Sequence, residues 1–245
     1  MFKLSSMLMR HVVVALCLAV GSLAWAQAQS NPVEAGVAAL DRGHFATALR
    51  AWLTAARQGD AQAQNNVGYM YERGFGVPQS YVEALKWYHQ AAAQGLAEAQ
   101  FNIGTLYKYG YGVEPNPREA NSWFRLAAKQ ELPQAQYLLG LAYSKGDGVP
   151  RSASMALKLW VAAANHGYLS AQLMAGHMYL SGDAEPKPDL FKAYVWGSVA
   201  ADRGNVDAAL VRDYASYKMD KDEIARAQAA AKVCRTSEYA RCPAL

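Results

Sequence analysis

Ala63, Val67, Met70 and Tyr71 recur at three- and four-residue spacing, the signature of one apolar face on a helix. Polar residues fill the positions between them until Gly74-Phe75-Gly76-Val77-Pro78 breaks the pattern. A glycine just past the last periodic residue suits the left-handed conformation that ends many helices. Apolar positions resume at Ala84, Trp87, Tyr88, Ala91 and Ala92. They predict a second helix opening at Ser80, with Glu83 three residues on as in a capping box. Asp60 to Gly95 is therefore one helix–turn–helix unit.

That unit repeats. Ala63-Gln64, Ala99-Gln100, Ala135-Gln136 and Ala171-Gln172 stand 36 residues apart. The same offset carries Gly68 onto Gly104, Gly140 and Gly176, Tyr71 onto Tyr107, Tyr143 and Tyr179, and Gly74 onto Gly110, Gly146 and Gly182. A period of this length predicts stacked helix pairs, and such stacks usually present a surface rather than a reactive pocket. Ser80, Asn116, Ser152 and Asp189 hold the cap position of the second helix, and all four are preferred N-cap residues. Second helices end at Gly95, Gly167 and Gly204, with Glu131 in that slot of the second copy. Small residues such as Gly68 and Ala84 mark close backbone approach, and Trp87, Tyr88, Trp123 and Phe124 fill the space between pairs. A bulky side chain at Gly104 is expected to be among the worst substitutions, through overpacking.

The phrase A-x-x-x-L/V-G-x-x-Y-x-x-G-x-G-V followed by A-x-x-W-Y/F-x-x-A-A resembles the Sel-one-like repeat family, relatives of the tetratricopeptide repeat. Here it reads Ala63, Val67-Gly68, Tyr71, Gly74, Gly76-Val77, then Ala84, Trp87-Tyr88 and Ala91-Ala92. The third copy carries Leu159-Trp160 in place of the aromatic pair. The fourth, Ser181-Gly182-Asp183-Ala184-Glu185-Pro186, lacks the second glycine and the valine and gains one residue, so Ala193 and Trp196 sit one position late. A shortened leading copy follows Gly43 through Ala48, Trp52 and Ala55-Ala56. The resemblance implies an all-α fold: a right-handed α/α solenoid over residues 33–212, with copies near 33–59, 60–95, 96–131, 132–167 and 168–204.

The ends read differently. Lys3, Arg10 and His11, the apolar run Val12–Val20, and Ala24-Trp25-Ala26 read as a signal peptide over 1–26. Ala26-Gln27-Ala28 offers a second cut, and residues 27–32 read as a short disordered start. The apolar run is too short for a stable membrane span. Export suggests a disulfide between Cys234 and Cys242 in the tail. Asp220 is expected to cap a helix over Lys221–Val233, with Ile224, Ala227 and Ala231 facing the repeats. This helix and the disulfide-closed tail make 213–245 a terminal cap. No linker composition separates the repeats, which read as one domain.

The formal net charge of +4 falls to +2 once Lys3 and Arg10 leave with the leader. With no basic run, nucleic acid is not an implied partner. The Gly-x-Gly pairs follow helices in phase with the repeat, so they are turns rather than a dinucleotide fingerprint. His44, His89, His166 and His177 fall at different repeat positions, and no nucleophile, metal or cofactor signature is present. No catalytic, metal or cofactor residue is expected. Alignment on the tetratricopeptide pattern places a concave strip on the first helices. Its positions are Asn65, Tyr69, Glu72, Arg73, Phe101, Lys108, Tyr109, Tyr137, Leu141, Lys145, Leu173, His177 and Leu180. The same residues could instead pack against the next repeat, and the sequence leaves both readings open. If the strip is free, Tyr137→Ala with Leu173→Ala abolishes partner capture without changing melting.

The expected function is a non-enzymatic scaffold, periplasmic or secreted, that takes a protein or peptide of the cell envelope on this strip. The competing class is an envelope hydrolase or a protein recognising peptidoglycan or β-lactams. Some exported relatives associated with penicillin binding share the frame but carry a cysteine pair in each repeat, which no copy here does. Partner identity and oligomeric state are not legible from the chain.

Overall fold

The computed structural model describes residues 31–240 and Cys242. The signal-peptide reading of 1–26 falls outside these residues. Twelve helices and no strand occur among the described residues, and they divide into two compact units between Gln79 and Ser80. A repeat array has contacts only between neighbours, so it can divide into compact units without any linker in the sequence.

The first unit holds α1 (Pro32–Asp41), α2 (Phe45–Arg57) and α3 (Ala61–Arg73). The chain is helical from Pro32, earlier than the disordered start to residue 32 that the sequence suggested. Asn31 accepts the Val33 amide, and Pro32 occupies the first turn, where its missing N–H costs nothing. Trp52 is buried, donates its indole N–H to the Val33 carbonyl at 3.0 Å, and lies flat over Gly36, where any Cβ would strike the ring. Phe45 and Phe75 stack at 4.4 Å beside Gly76, whose φ of 72° lets the loop settle on the Phe45–Ala46 backbone.

The second unit holds α4 (Tyr81–Ala93), α5 (Ala97–Tyr109), α6 (Pro117–Lys129), α7 (Pro133–Lys145), α8 (Ala153–Asn165), α9 (Leu169–Ser181), α10 (Leu190–Ala201), α11 (Val206–Tyr217) and α12 (Lys221–Thr236). From α4 to α11 consecutive helices pack in turn, as expected for stacked pairs, and α12 packs on α10. Ser80, Asn116, Ser152 and Asp189 each accept the amide three residues on, so all four sequence-read caps form. The reciprocal box expected at Ser80 does not: Glu83 turns to Lys86 at 2.6 Å, a cation one turn away that competes for the carboxylate. The full box forms instead at Asp220 and Glu223, opening α12. That helix runs one turn past the expected end at Val233. Ala227 and Ala231 are buried and Ile224 lies against the same core, as read.

Two devices hold successive pairs together. The repeated glutamines reach back to the preceding second helix: Gln136 to the Ala128 carbonyl at 3.4 Å and Gln172 to that of Ala164 at 3.2 Å. In the glycine loops, Gly110 and Gly146 end the first helices in left-handed backbone, while Gly112 and Gly148 lie on the N-termini of α4 and α6. The fourth copy, which lacks that second glycine, is also the last before the cap.

Candidate interaction surface

In the first unit, Asn65 is buried to 8 % exposure and offers little to a partner. Tyr69 meets Phe75 edge-on at 6.1 Å, and the Arg73 guanidinium lies 5.6 Å from the Tyr69 ring centre. Glu72 is partly buried beside them, and Arg73 is exposed.

In the second unit the strip divides by chemistry. Phe101 packs on Phe124 at 5.8 Å. Leu141, Leu173 and Leu180 lie partly buried against the large core of α8–α12. Tyr137 does the same, meeting the Tyr168 ring at 5.1 Å while its carbonyl accepts the Trp160 indole. Burial lifts the Tyr137 phenol above its ordinary range, with Tyr168 adding to the shift. These residues serve repeat stacking, so truncating Tyr137 and Leu173 together must lower melting, contrary to the sequence expectation. The wide apolar faces were legible, but which side of each ring the next pair covers was not.

Lys108, Tyr109 and Lys145 remain nearer solvent, and His177 is exposed on α9. Tyr109 is 53 % exposed and stacks on Tyr111, itself 42 % exposed, at 5.7 Å; Tyr111 stacks in turn on Tyr81 at 4.9 Å. The Lys108 ammonium lies 5.6 Å from the centre of the Tyr109 ring. Burial lowers the Lys108 pKa, with Asp147 opposing that shift and Lys145 adding to it. The result is a row of three tyrosines with the Lys108 ammonium, at the C-terminal end of α5, beside its outermost ring. Such a patch can stack planar or apolar side chains and pair with acidic ones.

Tyr81 and Tyr111 were absent from the strip read in the sequence. A signal for them existed: Phe45 and Phe75 are 30 residues apart, and Tyr81 and Tyr111 repeat that spacing one period later. Both pairs stack, since the residue after the first loop glycine lies over the first residue of the earlier helix. Asp147 and Pro117 replace them in the next copy, which ends the aromatic row.

Elsewhere the titratable groups serve packing. The Tyr179 phenol is buried without a hydrogen-bond partner and its pKa is driven far up by burial, then by Glu185 and Asp189. His89 meets Trp123 edge-on, and burial lowers its pKa against the opposing pull of Glu119. Cys234 and Cys242 are joined as a disulfide. Among the described residues, no group of three or more His, Cys, Asp or Glu is arranged to hold a metal, and no helix is long and apolar enough to cross a membrane.

The Sel1 repeat family model matches residues 61–96, 97–132, 133–168 and 169–205. A Sel1 repeat protein from Oxalobacter formigenes has a similar solved structure, 28 % identical with a TM-score of 0.71, over 87 % of this chain and 86 % of that one. A second is c5321, described as a protective antigen present in uropathogenic Escherichia coli strains and displaying an SLR fold. It is 24 % identical with a TM-score of 0.51, and the match spans 80 % of this chain but only half of c5321. A third, from Klebsiella pneumoniae subsp. pneumoniae, is 20 % identical with a TM-score of 0.50, covering 76 % of this chain and 91 % of that one, and shows the fold alone. No curated protein matches the chain.

Proposed function

Since the chain belongs to the Sel1 repeat family, whose members are generally non-catalytic protein-interaction scaffolds, we propose that it is an exported adaptor without enzymatic activity, binding a peptide or protein segment of the cell envelope. The periplasm is the compartment that fits both the leader-like N-terminus and the disulfide.

The observation that carries this reading is the tyrosine row Tyr81–Tyr111–Tyr109, in which Tyr111 and Tyr109 are exposed and the Lys108 ammonium lies 5.6 Å from the centre of the Tyr109 ring. Tyrosines offer large contact area at small conformational cost and are enriched where binding energy concentrates. The partner segment carries aromatic or aliphatic side chains for the row and acidic ones for Lys108. The first unit holds a comparable grouping in Tyr69, Phe75 and Arg73. Within the first unit Arg73 and Glu72 tune that grouping in this proposal; within the second unit His177 stays available as a polar group, while Phe101, Tyr137, Leu141, Leu173 and Leu180 support the surface from the repeat packing.

A photo-crosslinking residue at Tyr109, expressed in cells, is expected to trap a discrete envelope partner. The same residue at exposed Lys158 on α8 should not. Tyr109→Ala with Tyr111→Ala should cut capture by about tenfold or more while helical content is kept, since losing two binding-centre aromatics typically costs over 1.4 kcal/mol. Equal capture by the double variant would refute the assignment.

A further inference from the structure

Helix α11 ends the series of first helices, and one of its faces is bare. Ala208, Val211 and Ala215 are buried against its neighbours. On the opposite side Val206, Leu210, Tyr214 and Tyr217 follow at spacings of four, four and three, exposed by 75, 64, 51 and 87 %. Counted from the N-caps, Leu210, Tyr214 and Tyr217 share the phase of Phe101, Thr105 and Lys108 on α5 and of Tyr137, Leu141 and Ser144 on α7. Those six are all partly buried. Within the repeats this side of the first helix is largely covered, whereas among the described residues no further helix pair covers it on α11, and α12 packs on α10 instead.

The stripe is complementary to itself. Antiparallel pairing about a two-fold axis level with Arg212 sets Val206 against Tyr217 of a second copy and Leu210 against Tyr214, each twice. Asp207 and Lys218 lie on one flank of the stripe, a hundred degrees of helical turn per residue placing them within about 20° of each other. The same symmetry brings each Asp207 to the Lys218 of the other copy, and the two helix dipoles oppose. Asp213, close to the axis on the other flank, is already held by Arg212 through Nη2 at 2.7 Å and Nε at 2.8 Å. The guanidinium therefore offsets its charge where the symmetry mate approaches.

We propose that the stripe Val206–Leu210–Tyr214–Tyr217 is a self-association surface, on which a second copy of this chain packs antiparallel to close a two-fold dimer. The twelve-residue helix is about 18 Å long, so the contact falls in the small, dissociable class of interfaces. The dimer forms at high local concentration and separates on dilution.

Analytical ultracentrifugation of the full chain over a concentration series should show reversible doubling of mass. Leu210→Glu should weaken association by about tenfold or more with unchanged circular dichroism. Asp207→Lys and Lys218→Asp each set like charges face to face and should weaken it separately, whereas an equimolar mixture of the two variants restores opposite pairs at both contacts and should associate like the parent. A chain that stays monomeric at its highest concentration overturns the proposal. So does Leu210→Glu associating like the parent, or a mixture that remains as weak as either variant alone.

Discussion

At the scale of single residues, the copies explain one another. Gln130, at the end of α6, donates its side-chain amide to the Gly95 carbonyl at 2.8 Å and to Gln100 Oε1 at 2.9 Å. Arg203 does the same for Gly167 and Gln172 two copies later. His166 holds that slot in the third copy, and there Gln136 Oε1 is buried with no hydrogen-bond partner. A buried acceptor left unpaired costs about 1–3 kcal/mol. His166→Gln should therefore stabilise the protein by about 1 kcal/mol, read as a higher urea midpoint at constant slope. An unchanged or lower midpoint would show that the amide does not reach Gln136. The Gln100, Gln136 and Gln172 phase was plain in the sequence, but its donors were not, because each comes from a residue 30 or 31 positions away whose type varies between copies. Glu131 is the opposite case. Its slot was read as the glycine end of a second helix, and it stands there at φ 62°, in backbone that glycine takes more easily.

Between elements, equal sequence positions need not have equal surroundings. Gly104, Gly140 and Gly176 are one repeat position, and the sequence treats them alike. A Cβ on Gly104 would lie 2.7 Å from the Phe124 ring and 3.1 Å from the Ala120 carbonyl, and one on Gly140 would lie 2.5 Å from the Trp160 indole. In the fourth copy the extra residue in the turn moves Trp196 to the position of Trp123, so Gly197 takes the place of Phe124 and Trp160. The backbone of α11 closes into that gap, with Arg212 N 2.8 Å from where a Gly197 Cβ would be, and Val211 covers Gly176 at 3.3 Å. The one-residue insertion was visible; its result, a direct helix-on-helix seat for the cap, depends on what fills a vanished ring. Gly104→Ala should cost about 1–3 kcal/mol through overpacking. Gly176→Ala should stay within about 1 kcal/mol of the parent, because modest crowding is offset by the better helix propensity of alanine. Thermal unfolding of the two variants decides it, and equal losses would count against the distinction.

At the scale of the whole chain, period and caps were legible because every copy votes on the same positions. The exposed face was not, because the ring that fills a repeat interface and the ring that meets solvent have the same sequence. Phe101 and Tyr109 show this within one helix. The far end of the second unit adds a device outside the period. Tyr239 lies against Gly167, and the Arg203 guanidinium is 5.7 Å from its ring centre. Glu238 and Tyr239 hold φ values of 50° and 71°, backbone that side-chain-bearing residues leave when nothing constrains them. The Cys234–Cys242 disulfide closes that turn onto α12, whose Cys234 is fully buried. Closing so short a loop contributes about 2–3 kcal/mol in the chain-entropy model. In an array whose stability is carried by neighbour contacts, its loss should act locally. Reduction, or Cys234→Ala with Cys242→Ala, should strip hydrogen-exchange protection from the last turns of α12 and weaken its hold on α10. Amides of α5 to α8 should keep their protection. Loss of protection spreading evenly through α5–α8 would instead mean that the tail supports the repeats as one cooperative body, and the cap would then be a keystone rather than a lid on the last pair.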